Sequence, residues 1–115
     1  MARHVLLLDL KDDPELIAAY RQWHAPGGPP AAVIASIRAA GVEAMEIHLC
    51  GDRLVMLIEA GPGFSFAAKA AADAADPEIQ AWETLMSRFQ KPVPWAAPGE
   101  KWVLAERIFA LDEQP

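Results

Sequence analysis

Val42-Glu43-Ala44-Met45-Glu46-Ile47-His48-Leu49-Cys50, then Gly51-Asp52, then Arg53-Leu54-Val55-Met56-Leu57-Ile58-Glu59-Ala60, is the stretch that decides the fold. Its first arm alternates, with Met45, Ile47 and Leu49 on one side and Glu46, His48 and Cys50 on the other. A period of two puts successive side chains on opposite faces of a strand. Gly51-Asp52 supplies a turn, and the second arm returns as an apolar run, so residues 42–60 read as an antiparallel hairpin.

Working outward, each flank of the hairpin carries a pair of helices and then a strand. On the N-terminal side, His4–Leu10 is short and leucine-rich, which reads as a strand. Asp12 or Asp13 caps a helix that opens on Pro14 and carries Leu16, Ile17, Tyr20 and Trp23 at helical spacing to about His24. Ala25–Pro30 (Ala-Pro-Gly-Gly-Pro-Pro) is a loop, and Pro30 opens a second helix over Ala31–Ala40 that Gly41 closes. On the C-terminal side, Gly61-Pro62-Gly63 breaks the chain and Phe64–Ala75 is an alanine-rich helix. Asp76-Pro77 starts another over Glu78–Gln90, with Ile79, Trp82, Met86 and Phe89 as its apolar stripe. Lys91–Gly99 contains three prolines and no periodicity, and Trp102–Leu111 reads as a last strand.

The order β-α-α-β-β-α-α-β predicts an α+β fold: a ferredoxin-like antiparallel sheet with helices on one face. The uncovered face needs a partner, and a symmetric homodimer is the usual remedy. The 115 residues are expected to form one domain spanning 1–115. About two-thirds of the unfolded surface can be buried in a chain of this size.

Composition excludes several function classes. The net charge of −6 disfavours phosphate backbones and anionic lipid, so neither nucleic acid nor membrane is an expected partner. Cys50 is the one cysteine, so no internal disulfide can form, which fits a reducing cytoplasm. Val5–Leu8, closed by Asp9, is too short for a signal core. No glycine-rich phosphate loop, CxxC or HExxH occurs. Glu46-x-His48-x-Cys50 could offer two metal ligands but not three from one straight strand, and no metal is expected. Serines 36, 65 and 87 lie outside any nucleophile-elbow setting.

What remains is Tyr20 and His24. Residues four apart share a helix face. A histidine in a last helical turn feels the negative end of the macrodipole, which favours its protonated form. An imidazole beside a phenol, at the lip of a loop, has the makings of an acid/base pair, set against the plainer role of a helix cap. Trp82 fits a core stripe, yet four tryptophans in so short a chain leave aromatic surface that could line a pocket and suit the C–H face of a sugar ring.

The chain resembles the L-rhamnose mutarotase family over nearly its whole length. The resemblance is carried by Leu8-Asp9-Leu10-Lys11-Asp12-Asp13-Pro14, Tyr20-x-x-x-His24, Ile37-Arg38-x-Ala40-Gly41, Met45-Glu46-Ile47, Arg53-Leu54-x-Met56 and Trp82-x-x-x-Met86. It continues through Pro92-x-Pro94, Pro98-Gly99-Glu100-Lys101-Trp102 and Glu106-Arg107-Ile108-Phe109. It implies a dimeric α/β-barrel that interconverts the α and β anomers of a free 6-deoxyhexose, L-rhamnose or L-fucose, without metal or cofactor. It further implies that His24 is the proton donor and that Tyr20 and Trp82 contact the sugar. This chain departs from the family pattern in four places. Pro26–Ala31 lacks the tryptophan and glutamate that usually follow the histidine. Glu83 stands where a second tryptophan is common, and Met45 and His48 fall at two hairpin tyrosines. His48 or Glu46 is expected to supply the base complementary to His24. Two rival readings are a cofactor-free monooxygenase or cyclase on the same fold and a non-catalytic small-molecule-binding module.

Overall fold

The computed structural model describes residues 2–115. Strand β1 is Ala2–Leu10, followed by helices α1 (Pro14–Trp23) and α2 (Ala31–Ala39), the hairpin β2 (Val42–Cys50) and β3 (Arg53–Ala60), and helices α3 (Phe66–Ala74) and α4 (Pro77–Ser87). Two short strands, β4 (Gln90–Lys91) and β5 (Val103–Leu104), and a 3₁₀ turn at Leu111–Glu113 complete it.

Local chemistry sets these boundaries. The Asp13 carboxylate accepts from the Glu15 and Leu16 amides with Pro14 at the first helical position, and Asp76 accepts from the Glu78 amide to cap α4 ahead of Pro77. Ser65 caps α3 through Ala68 N–H, so that helix starts at Phe66 and leaves Phe64 in the preceding turn. Gly51 has φ of +63° in the hairpin turn, a left-handed conformation that glycine adopts without penalty.

The sheet runs β2-β3-β1-β4, with β5 also paired to β1, and every pairing is antiparallel. This is the ferredoxin-like order. In register, Leu6 faces Met56 and Leu8 faces Leu54 across β1–β3, while Ile47 faces Met56 and Leu49 faces Leu54 across β2–β3. These residues share the face that the helices cover. Leu8, Leu10 and Leu54 are its most deeply buried side chains. Leu10, Leu54, Tyr20, Met86 and Phe89 form one core cluster, and Leu6, Val42, Ile58 and Ala60 form a second.

The opposite face carries Val5, Leu7, Val55 and Leu57, half-buried, among polar pairs. Arg53 holds the buried Asp9 carboxylate by two bonds (Nε–Oδ1 2.8 Å, Nη2–Oδ2 3.1 Å) and stacks on the Trp95 ring at 4.8 Å. Arg3 pairs with Glu59 at 3.0 Å.

The last strand is much shorter than the alternation of Trp102–Leu111 suggests. Pairing with β1 ends where Ala105 N–H donates to Val5 C=O, at 2.7 Å. Beyond it Ile108 is 91% exposed, and Phe109 and Leu111 are also exposed. Nothing within one chain lies against these side chains to hold the segment in the sheet.

Candidate active site

Between the helix layer and the covered face of the sheet lies a cavity of about 650 Å³. Its floor is strand surface, including Met45, Ile47, Met56 and Ile58, and its wall is helix surface from α1, α2 and α4. This volume falls within the usual range for small-molecule sites.

Tyr20, His24 and Trp82 all line this cavity. Tyr20 and His24 lie one turn apart at the end of α1, and their rings sit 4.2 Å apart, centre to centre. The Trp82 indole is 5.7 Å from the His24 ring at 58°, and the Trp23 ring meets the Trp82 ring edge-on at 6.0 Å. Gly28 lets the loop fold back tightly on the end of α1: a Cβ there would come within 2.4 Å of the Trp23 carbonyl oxygen. The loop after His24 is thereby turned away and leaves the ring at the rim, partly exposed.

His24 Nδ1 lies 2.7 Å from the Tyr20 carbonyl oxygen. A carbonyl can only accept, so Nδ1 carries the hydrogen and Nε2 is the free basic nitrogen of the neutral ring. Burial pushes the His24 pKa below its ordinary 6.5, against a weaker opposing pull from that same hydrogen bond. The net shift is opposite in sign to the one the macrodipole alone suggests, and burial in the cavity wall is its main cause. Tyr20 shifts the other way. Burial raises its pKa, the bond from Gln90 opposes this, and the Glu83 charge adds to the rise. A neutral base and a phenol that keeps its proton thus stand side by side at pH 7.

The hairpin residues divide by strand alternation. Met45 reaches the cavity. Glu46 and His48 point from the opposite face, where His48 Nε2 and Glu46 Oε1 pair at 2.9 Å in the open. His48 touches the site region only at the edge of β2, where it borders a shallow cleft of about 440 Å³ with Tyr20, Arg21 and His24. Neither Glu46 nor His48 lines the main cavity, and His48 meets Tyr20 and His24 in this second cleft. Glu46, His48 and Cys50 do not gather as ligands either; among the described residues no group of three His, Cys, Asp or Glu side chains is placed to hold a metal.

Sequence reasoning did not single out Gln90 or Glu83 as cavity residues, and both line it. Gln90 Nε2 donates to the Tyr20 hydroxyl oxygen at 3.3 Å. Glu83 Oε2 pairs with Lys101 Nζ at 3.1 Å. The signal for Glu83 was present in the spacing, because Ile79, Trp82, Glu83 and Met86 share one stripe of α4; the helix expected over Glu78–Gln90 ends at Ser87 and Gln90 lies in β4, so no helical spacing points to it. At another part of the wall Ser36, Lys69 and Asp73 satisfy one another, with Lys69 Nζ 2.7 Å from Asp73 Oδ2 and 3.1 Å from Ser36 Oγ.

A cavity that brings Tyr20, His24 and Trp82 together within an antiparallel α+β frame is a small-molecule site, and comparison with known proteins makes the assignment specific. The family profile described as L-rhamnose mutarotase matches residues 3–111. An L-fucose mutarotase of Xanthomonas campestris pv. campestris is 56% identical over 113 residues, covering 98% of this chain and 90% of that protein. Among solved structures, an L-rhamnose mutarotase from Formosa agariphila superposes with a TM-score of 0.68 at 13% identity, covering 96% of this chain and 99% of that one. The tetracenomycin F2 cyclase of Streptomyces glaucescens, a type-II polyketide cyclase, superposes at 0.62 with 18% identity, covering 96% of both chains. These two structural likenesses speak to the fold alone. The chain belongs to the L-rhamnose mutarotase family. It is an isomerase that interconverts the anomers of a free sugar.

Proposed function

We propose that this protein equilibrates the α and β anomers of free L-fucose, with L-rhamnose as the related alternative, and that His24 is its acid/base. The observation that carries the reading is the convergence of Tyr20, His24 and Trp82 on one cavity. The 56% identity to an L-fucose mutarotase supports the choice of sugar.

The chemistry follows from what the site holds. Neutral His24 accepts the proton of the anomeric hydroxyl at Nε2. The C1–O5 bond breaks as the C1–O1 bond becomes a carbonyl, and the ring oxygen takes the proton back from the same nitrogen. One nitrogen can serve both oxygens because both are bonded to C1. The C1–C2 bond then rotates, and the steps run in reverse on the other face of the carbonyl. Tyr20 keeps its proton and donates a hydrogen bond to whichever oxygen carries charge. Trp82 offers an indole face to the C–H side of the sugar, and Met45 completes the apolar floor. The cycle needs no redox partner or covalent intermediate.

Magnetisation exchange between the anomeric proton resonances of L-fucose tests the assignment directly. Acceleration at catalytic protein concentrations is expected. No acceleration with any 6-deoxyhexose would overturn the reading and favour a cofactor-free oxygenase or cyclase on the same fold.

The pH profile tests the protonation states. Activity requires the neutral imidazole, so kcat/KM should stay flat through neutrality and fall only as pH drops through the folded-state pKa of His24, which burial places below the ordinary 6.5. With the tyrosine pKa raised above 10.0, no alkaline limb is expected below that value. Stability should change in the same direction. The native state binds this proton less tightly than the unfolded chain, so the contribution is complete above about 6.5 and is lost as pH falls toward the folded value. A rate that rises on acidification would instead require a protonated His24 as the starting state.

We further propose that two chains form a homodimer, a dimeric α/β-barrel, through the uncovered sheet face and the exposed Ile108, Phe109 and Leu111. Contiguous exposed apolar surface of this kind is uncommon on monomers. Sedimentation equilibrium should give twice the 12.5 kDa of one chain; a monomer at micromolar concentration would refute the dimer. A cytoplasmic location suits the free, exposed Cys50 thiol. Recovery of the protein outside the cell with Cys50 oxidised would contradict that placement.

A further inference from the structure

Gln90 is anchored on one side and unfinished on the other. Its main chain pairs with Leu10 in register across β1–β4. Directly opposed residues of an antiparallel pair share a face, so Gln90 lies on the helix-covered side with Leu10 and lines the cavity. Its amide nitrogen donates to the Tyr20 hydroxyl. Its Oε1 is buried without a hydrogen-bond partner, and among the described residues it is the one such side-chain polar atom. Buried polar groups are nearly always paired, and an orphan one calls for an explanation.

Exchanging the amide oxygen and nitrogen does not remove the problem. The Tyr20 hydroxyl would then donate to Oε1, and the NH₂ group would lack an acceptor. Either way one end of the amide needs a partner, and a ligand hydroxyl, which both donates and accepts, satisfies both cases. The terminal torsion of glutamine is soft, so the amide can turn into the cavity without leaving a rotamer well. An aromatic or aliphatic ligand would leave it unpaired.

We propose that Gln90 binds a hydroxyl of the sugar substrate and, through Tyr20, sets the orientation of that sugar relative to His24. The proposal rests on the mutarotase reading above. It assigns to Gln90 a contact that the resting protein pays for in stability and recovers when substrate arrives.

Gln90→Met, which keeps the length and removes both polar atoms, is the test, with Gln90→Leu as a second variant should the first fold poorly. The KM for L-fucose in the magnetisation-exchange assay should rise about tenfold, the loss of one hydrogen bond to a buried hydroxyl, while kcat changes only a few-fold. The unfolding midpoint without sugar should stay the same or rise, because the orphan carbonyl is gone. A structural amide would give the reverse pattern, a lower midpoint with KM unchanged, and that result overturns the proposal, as does a KM within twofold of wild type. The upward shift of the unfolding temperature by saturating L-fucose, which needs no turnover, should be present in wild type and diminished in the variant. A wild type that neither accelerates exchange nor is stabilised by any 6-deoxyhexose removes the mutarotase reading itself, and Gln90's role with it. A working wild type with an unaffected variant removes only the role of Gln90.

Discussion

His24→Ala slows L-fucose anomer exchange by about 10²–10⁴-fold, the usual contribution of one placed acid/base. The loss falls on kcat, because Trp82, Tyr20 and Gln90 remain to bind the sugar. Added imidazole restores part of the rate by entering the space left behind. The folded state is little disturbed: the ring is partly exposed, and its one hydrogen bond, to the Tyr20 carbonyl, lies at a helix end where water can replace it. Anomeric magnetisation exchange, measured with and without imidazole, reads the outcome. Wild-type exchange rates in the variant would exclude His24 from the reaction.

The largest effect on stability is expected from Leu10→Ala. Leu10 is 1% exposed and packs with Tyr20, Leu54, Met86 and Phe89. Truncating a buried leucine removes transfer energy and leaves a cavity, together about 2–5 kcal/mol. A domain of ordinary stability holds about 5–15 kcal/mol in total, so the loss is a large share. The effect reaches the site as well, since Leu10 shares a core cluster with Tyr20 and lies opposite Gln90 in the sheet. Urea unfolding should show a clearly lower midpoint with an unchanged slope. An unchanged midpoint would mean that the cluster beneath Tyr20 does not pack as described.

The two substitutions separate roles that α1 combines. Its inner stripe reaches the core through Tyr20, and its last residues present a polar edge to a hollow. Tyr20 belongs to both, with its ring in the cluster and its hydroxyl at Gln90. Removal of the hydroxyl and removal of the ring should therefore differ sharply, the first reaching the chemistry and the second the fold.

Much of the architecture was legible in the chain. Asp13-Pro14 and Asp76-Pro77 mark helix starts because a carboxylate cap and a proline at the first turn act within four residues. Gly51 marks the hairpin for the same local reason. The alternation of 42–50 assigned each side chain to a face, and that reading already placed Met45 apart from Glu46 and His48. The structure follows that alternation: Met45 lines the main cavity, and His48 borders only the second cleft. The strand expected over 102–111 failed for a different reason. Alternation states which face a side chain would take, but a strand is held only where a neighbouring strand pairs with it and a packed layer covers at least one face, and one chain leaves Ile108 and Phe109 exposed.

Local chemistry, acting over a few residues, therefore determined the elements, their order and the pairing of Tyr20 with His24 on one helix face. Tertiary structure alone decided that Trp82 meets a hollow instead of solid core, that burial lowers the His24 pKa, and that Gln90 meets the Tyr20 hydroxyl with its own oxygen unpaired. Each of these depends on which distant segments share a volume and how much water they displace, and neither quantity is encoded in the spacing of residues along the chain.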